Sequence, residues 1–283
     1  MTSTNPCTGE VVREFEPATA EQCAAAVARA HVGWARTPLA ERVATAERFA
    51  ARVKERAEEG ARLISLETGK PLWEARTEIA SVIGKVAISV RAHHERTGET
   101  RAAQPEATAV LRHRAHGVAI VLGPFNFPAH LPNGHIVPAL LAGNAVVFKP
   151  SECTPTPADF LLDCWEEAGL PEHTLQVVHG ARETAEHLVS QPAVQAVYFT
   201  GSVAGGLALH RRFAGRPEVQ LALEMGGNNP LVVAGPVDPA AAALLIAQSA
   251  FLSAGQRCTC ARRLVLVDDA HGRAVLELSL IHI

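Results

Sequence analysis

Residues 19–60 repeat apolar side chains at helical spacing: Ala26, Ala30 and Trp34, then Val43, Ala46, Phe49, Ala50 and Val53. With Glu and Arg set between them, the pattern predicts two amphipathic packing helices joined near Thr37-Pro38. A third helix is expected over about 70–96, where polar positions interleave with Ile79, Val82, Ile83, Val86 and Ile88. Beyond it the texture changes. Short runs that are almost wholly apolar (117–122, 145–148, 175–178, 196–199 and 220–223) alternate with helical stretches over 136–141, 158–168 and 183–189. Strands apolar on both faces belong in a parallel sheet covered by helices on each side, so the reading is a doubly wound α/β domain. A second stretch opens at 230–233 and continues as a helix over 239–253 and a strand over 263–267, the beginning of a second α/β domain. The expected division is 1–226 and 227–283.

Composition narrows the function. At 283 residues, with 48% hydrophobic and 19% charged, the chain is an ordinary globular one with room for about two domains. Its net charge of −3 supplies no basic field for a phosphate backbone or an anionic lipid surface, which argues against nucleic acid as a partner. The longest apolar stretches, 118–122 and 240–247, fall well short of the roughly 18 residues of a membrane span. The start shows no basic segment followed by an apolar run, so no signal or transit peptide is read and a cytoplasmic protein is expected. Six cysteines show no Cys-x-x-Cys pair and no paired histidine spacing, so neither a metal site nor a disulfide framework is expected. A cysteine with chemistry must be argued from its surroundings.

Ligands of open parallel sheets sit beyond the carboxyl ends of the strands, which directs attention to the residues after each run. After the first comes Gly123-Pro-Phe-Asn-Phe-Pro128, which presents the amide of Asn126 between two prolines; after the second, Lys149-Pro-Ser-Glu152 sets a cation and a carboxylate at a strand end, where a ribose and its phosphates could be held. After the fourth, Thr200-Gly-Ser-Val-Ala-Gly-Gly206 is a glycine-bounded turn into a helix; after the fifth, Glu224 precedes Gly226 and Gly227. Helix-opening N–H groups suit a pyrophosphate. Each motif also admits a plain structural role: a surface ion pair for Lys149 and Glu152, a self-stabilised turn for Asn126, a strand end for Glu224. Arg257, Arg262 and Arg263 surround Cys258 and Cys260 with a positive field of the kind that favours a thiolate, unless they face solvent while both cysteines pack inward. His113, His116, His130 and His135 are scattered without paired spacing and read as surface or supporting residues. Ser202 lacks the context of a nucleophile elbow, which disfavours a serine hydrolase.

Taken in order, Pro-Phe-Asn-Phe-Pro, Lys-Pro-Ser-Glu, Phe-Thr-Gly-Ser, Leu-Glu-Met-Gly-Gly and Gly-Gln-Arg-Cys resemble the aldehyde dehydrogenase superfamily, and the likeness extends from Asn5-Pro-Cys-Thr-Gly-Glu10 to Arg263. The resemblance implies a Rossmann-type doubly wound sheet as the NAD-binding domain, followed by the start of a catalytic domain. It implies Cys258 as nucleophile, Asn126 as oxyanion donor and Glu224 as general base. Lys149 and Glu152 match the adenosine-ribose contacts, and Gly201, Ser202 and Gly206 the turn at the pyrophosphate. The carboxylate of Glu152 suits a free ribose hydroxyl and opposes a 2′-phosphate, so NAD is the expected cofactor. Residues 130–144, 224–230 and 258–263 resemble the branch whose substrate is succinylglutamate semialdehyde, with other semialdehydes or aliphatic aldehydes as alternatives. Family members continue for roughly another 200 residues beyond the nucleophile, whereas 283 − 258 = 25 remain here. Most of the catalytic domain is therefore expected to be absent, and the segment 278–283 continues no pattern of the family. The whole enzyme is expected to be a homo-oligomer, and a nucleotide-binding fragment without catalysis is the alternative.

Overall fold

The computed structural model of the chain describes residues 1–235 and 237–281. An antiparallel pair, β1 (Thr2–Thr4) and β2 (Val11–Glu14), opens the fold and is followed by α1 (Ala20–Ala28), α2 (Leu39–Glu55), α3 (Ala57–Thr68) and α4 (Leu72–Arg96). Thr19 caps α1 through a reciprocal box with Gln22. Where two helices are expected over 19–60 the structure has three, with a 3₁₀ turn at Val32–Arg36 after the first. The continuous apolar stripe hides the break at Arg56, whose φ of −103° and ψ of 22° end α2 before α3 begins.

A hairpin of β3 (Glu99–Gln104) and β4 (Ala107–Arg112) follows. Nothing in the sequence foretells it, because every residue of both strands is exposed and no buried face imposes alternation. Next come β5 (Val118–Leu122), α5 (His130–Leu141), β6 (Ala145–Lys149), α6 (Thr156–Glu167), β7 (Leu175–Val177), α7 (Arg182–Val189), β8 (Val194–Gly201), α8 (Val203–Phe213) and β9 (Gln220–Met225). The five strands form one sheet in the order β7-β6-β5-β8-β9, with β5 parallel to both β6 and β8. Order reverses between β5 and β8, the switch point at which doubly wound sheets bind ligands.

Alternate residues of the central strands feed two cores. Ala119, Val121, Val146 and Phe148 pack with α2 to α6, where the rings of Phe49 and Trp165 stack at 4.1 Å. Val118, Ile120, Leu122 and Val147 pack with α1, α7 and α8. Burial on both faces explains why these runs are apolar at every position.

The chain divides into two compact units, Met1–Glu224 and Met225–Ile283. In the second, β10 (Asn229–Val233) pairs in parallel with β11 (Ala261–Leu266), and the helices α9 (Pro239–Phe251) and α10 (Ala270–Ile281) accompany them. Ala242, Ile246 and Val275 form its core against Leu231, Val233, Leu264 and Leu266. Asp238 caps α9, accepting from the N–H groups of Ala240 and Ala241. Of the segment 278–283, His282 and Ile283 lie outside the described residues. No described helix is long and apolar enough to cross a membrane.

Candidate active site and nucleotide cleft

The turn after β5 carries Asn126 and runs into α5. No residue at the start of α5 caps it with a side chain. The cap comes from α4 instead: Glu78 Oε1 accepts the N–H groups of Ala129 at 3.0 Å and His130 at 3.1 Å. The other oxygen of Glu78 meets Lys70 Nζ at 2.8 Å, and Lys70 Nζ also donates to the Asn126 carbonyl at 2.7 Å. Lys70 and Glu78 are both buried. Sequence reading passed over the pair, since an isolated Lys and Glu eight residues apart carry no signal of burial.

At the end of β6, Lys149 is 6% exposed, and its ammonium donates to the carbonyls of Pro150 and, at 2.8 Å, Gly180. Burial pulls its pKa below the usual lysine value, and the charge of Glu152 opposes that shift. The two are 3.8 Å apart, with Glu152 half exposed, so they form an ion pair as well as a strand-end cation and carboxylate. Gly201 closes β8, and a Cβ there would stand 2.5 Å from the Phe199 ring. Ser202 caps α8, its hydroxyl accepting from the Gly205 N–H at 3.1 Å, and Gly206 is buried in the first turns. The helix thus begins close against the strand end, presenting backbone N–H groups and a positive dipole end, with no side chain at Gly201.

Glu224 is exposed near the end of β9. Its charge acts on His135 of α5: burial lowers the pKa of His135, the Glu224 carboxylate opposes that shift and Lys85 adds to it. The His135 ring stacks on Tyr198 at 5.4 Å and its Nε2 lies 3.5 Å from Thr200 Oγ1. A histidine without sequence context therefore lies among the residues at the ends of β8 and β9.

In the second unit the chain leaves α9 through a turn at Leu252–Gly255 in which Ser253 and Ala254 are left-handed, and delivers Cys258 exposed and Cys260 buried. The three arginines near the cysteines bond neutral groups around the loop, and Arg262 and Arg263 are exposed. Arg257 Nε donates to Ser253 Oγ at 3.0 Å, Arg262 to the Gly255 carbonyl at 3.1 Å and Arg263 to the Asn228 carbonyl at 3.2 Å. Among the described residues no group of three or more His, Cys, Asp or Glu is arranged to hold a metal ion.

The profile of the aldehyde dehydrogenase family matches residues 1–279. The chain belongs to the aldehyde dehydrogenase family. It is 55% identical over 278 residues to N-succinylglutamate 5-semialdehyde dehydrogenase of Pseudomonas fluorescens (strain Pf0-1), covering 97% of this chain and 57% of that one. Among solved structures it resembles indole-3-acetaldehyde dehydrogenase complexed with NAD+ (29% identity, TM-score 0.91, 99% of this chain and 59% of the other). It also resembles glyceraldehyde-3-phosphate dehydrogenase GapN of Methanocaldococcus jannaschii complexed with NADP (25% identity, TM-score 0.91, 99% and 62%). The chain thus spans a little over half the length of the curated relatives it matches.

For an aldehyde dehydrogenase chain of this length the division of parts is clear. Asn126, Lys149, Glu152, Gly201, Ser202, Gly206 and Glu224 all lie in the first unit, and Cys258 lies in the second. Lys70 and Glu78, which sequence reading missed, and His135, read there as a surface or supporting residue, act through contacts distant in sequence.

Proposed function

We propose that the chain carries the nucleotide-binding half and the nucleophile of an NAD-dependent dehydrogenase that oxidises N-succinylglutamate 5-semialdehyde to N-succinylglutamate, a step of arginine catabolism. The observation that carries the substrate assignment is the 55% identity to a relative of that name over 97% of this chain. A cytoplasmic, homo-oligomeric enzyme is part of the same reading.

In this mechanism the Cys258 thiolate adds to the aldehyde carbon, and the C=O pair becomes an alkoxide. The Asn126 amide and a backbone N–H beside Cys258 donate to that oxygen. Bound NAD supplies the acceptor for the hydride that leaves the same carbon, which makes it a thioester. Glu224 then takes a proton from water, the hydroxyl oxygen adds to the thioester carbon, and the Cys258 sulfur departs as thiolate with the acid released. Support for NAD comes from the strand-end donor set. The buried Lys149 ammonium, the carboxylate of Glu152 and the α8 start, close-packed at Gly201, suit a ribose diol and a pyrophosphate.

The decisive experiment uses a chain of the relatives' full length. Cys258→Ala is expected to abolish NADH formation with this semialdehyde, and Cys260→Ala to retain most of it; the reverse result overturns the assignment. Comparing kcat/KM across semialdehydes and aliphatic aldehydes tests the substrate. Calorimetry of the 283-residue chain with NAD and NADP tests the cofactor, with tighter NAD binding expected and a narrower preference in Glu152→Gln.

A further inference from the structure

Building on the reading of Asn126 as oxyanion donor, we propose that Lys70 and Glu78 are positioning residues that together aim the Asn126 amide. The turn between β5 and α5 is bonded to β6 at its start, where the Gly123 N–H donates to the Lys149 carbonyl at 2.9 Å, and further along it is gripped by two side chains. Lys70 grips one end at the Asn126 carbonyl, 2.7 Å away. Glu78 grips the other, where one oxygen takes the N–H groups of Ala129 and His130. The two ends are joined by the 2.8 Å contact between the side chains, both completely inaccessible. Lys70 Nζ also lies 3.9 Å from the centroid of the Phe127 ring, so the cation covers the residue next to Asn126 as well.

The energetics favour a positioning role over a stabilising one. An ion pair removed from water contributes little net stability compared with apolar side chains of the same volume. What this pair contributes is polar partners for three backbone groups of the turn. Holding the carbonyl of Asn126 restrains the peptide plane next to the Cα that bears its side chain. An error of about 1 Å in the placement of such a donor is enough to cost on the order of 100-fold in rate.

The test is a double-mutant cycle in a chain of the relatives' full length, combining Lys70→Met/Glu78→Gln with Asn126→Ala. The paired variant removes both charges together and keeps an oxygen at position 78 for the two backbone N–H groups. Expected is a kcat lower by roughly 10- to 100-fold, with KM for the aldehyde and Kd for NAD changed by no more than about 2-fold. In the Asn126→Ala background the paired substitution is expected to cost nothing further. An unchanged kcat in a folded paired variant overturns the proposal, as do losses that simply multiply in the cycle. If Asn126→Ala itself leaves kcat intact, the oxyanion reading fails and the proposal with it. A large loss in Asn126→Ala beside none in the paired variant removes the positioning role alone. Glu78→Gln by itself guards against misfolding of the paired variant: it loosens only the hold on Lys70 and is expected to give an intermediate loss in kcat at constant KM, and no loss there overturns the proposal.

Discussion

Asn229 holds Cys258 by its backbone: Nδ2 of the asparagine donates to the Cys258 carbonyl at 2.7 Å and to the Cys260 carbonyl at 3.2 Å. One amide thereby holds the peptide units that follow Cys258 and Cys260. Each such bond contributes about 1 kcal/mol. Asn229→Ala is expected to accelerate amide hydrogen exchange over 257–260 several-fold while leaving exchange in β5 and β6 unchanged. Unchanged exchange over 257–260 would show that the loop is held by other contacts.

Burial separates the six thiols. Cys7, Cys153 and Cys258 are exposed, whereas Cys23, Cys164 and Cys260 are buried. Burial also raises the pKa of Cys23, and it pushes that of Cys164 up to about 12. Brief alkylation of the native chain with iodoacetamide, read by peptide mass spectrometry, is expected to label Cys258 and spare Cys260. Labelling of Cys260 before Cys258 contradicts the loop conformation.

Strands β5 and β6 were legible because burial on both faces leaves only apolar residues to choose from, and the strand-end motifs stood out against them. The hairpin of β3 and β4 was not, since fully exposed strands impose no pattern. The break at Arg56 was hidden for the opposite reason: α2 and α3 bury faces of the same core, so their apolar residues read as one stripe. At the site, sequence identified side chains with chemistry of their own. It missed Lys70 and Glu78, whose roles depend on a turn some fifty residues away in the chain.

Acid should weaken the first unit through its histidines. Burial is the largest cause lowering the pKa of His93, His130 and His135 from 6.5, reinforced at His130 by Lys85 and Lys70. Between these lowered values and 6.5 the unfolded chain binds more protons than the folded one, so stability rises with pH across that window and falls on acidification through it. Thermal melts taken from about pH 7.5 down to about pH 5 are expected to show the fall, and His130→Gln to flatten it. A melting temperature equally steep in His130→Gln would place the effect elsewhere.

The turn before Cys258 gives two substitutions of opposite sign. Ala254 has φ 54° and Gly255 φ 69°, both left-handed. A Cβ at Gly255 would make only ordinary contact, 3.4 Å from the Ala250 carbonyl oxygen, so the penalty there is conformational and not steric. Gly255→Ala is expected to destabilise by about 1 kcal/mol, and Ala254→Gly to stabilise by somewhat less because glycine also loosens the unfolded chain. Chemical denaturation of the two variants measures both; a loss of stability in Ala254→Gly would mean that the turn is not strained.

The boundary after Glu224 gives the two compact units different shares of the proposed machinery. Every residue proposed to grip the nucleotide precedes that boundary, and the proposed sulfur nucleophile follows it. Substitutions aimed at the proposed cofactor contacts thus fall in the first unit, and substitutions in the loop around Cys258 in the second. Replacing the proposed sulfur nucleophile therefore leaves every residue proposed to grip the nucleotide in place, whereas Asn126 and Glu224 share their unit with that grip.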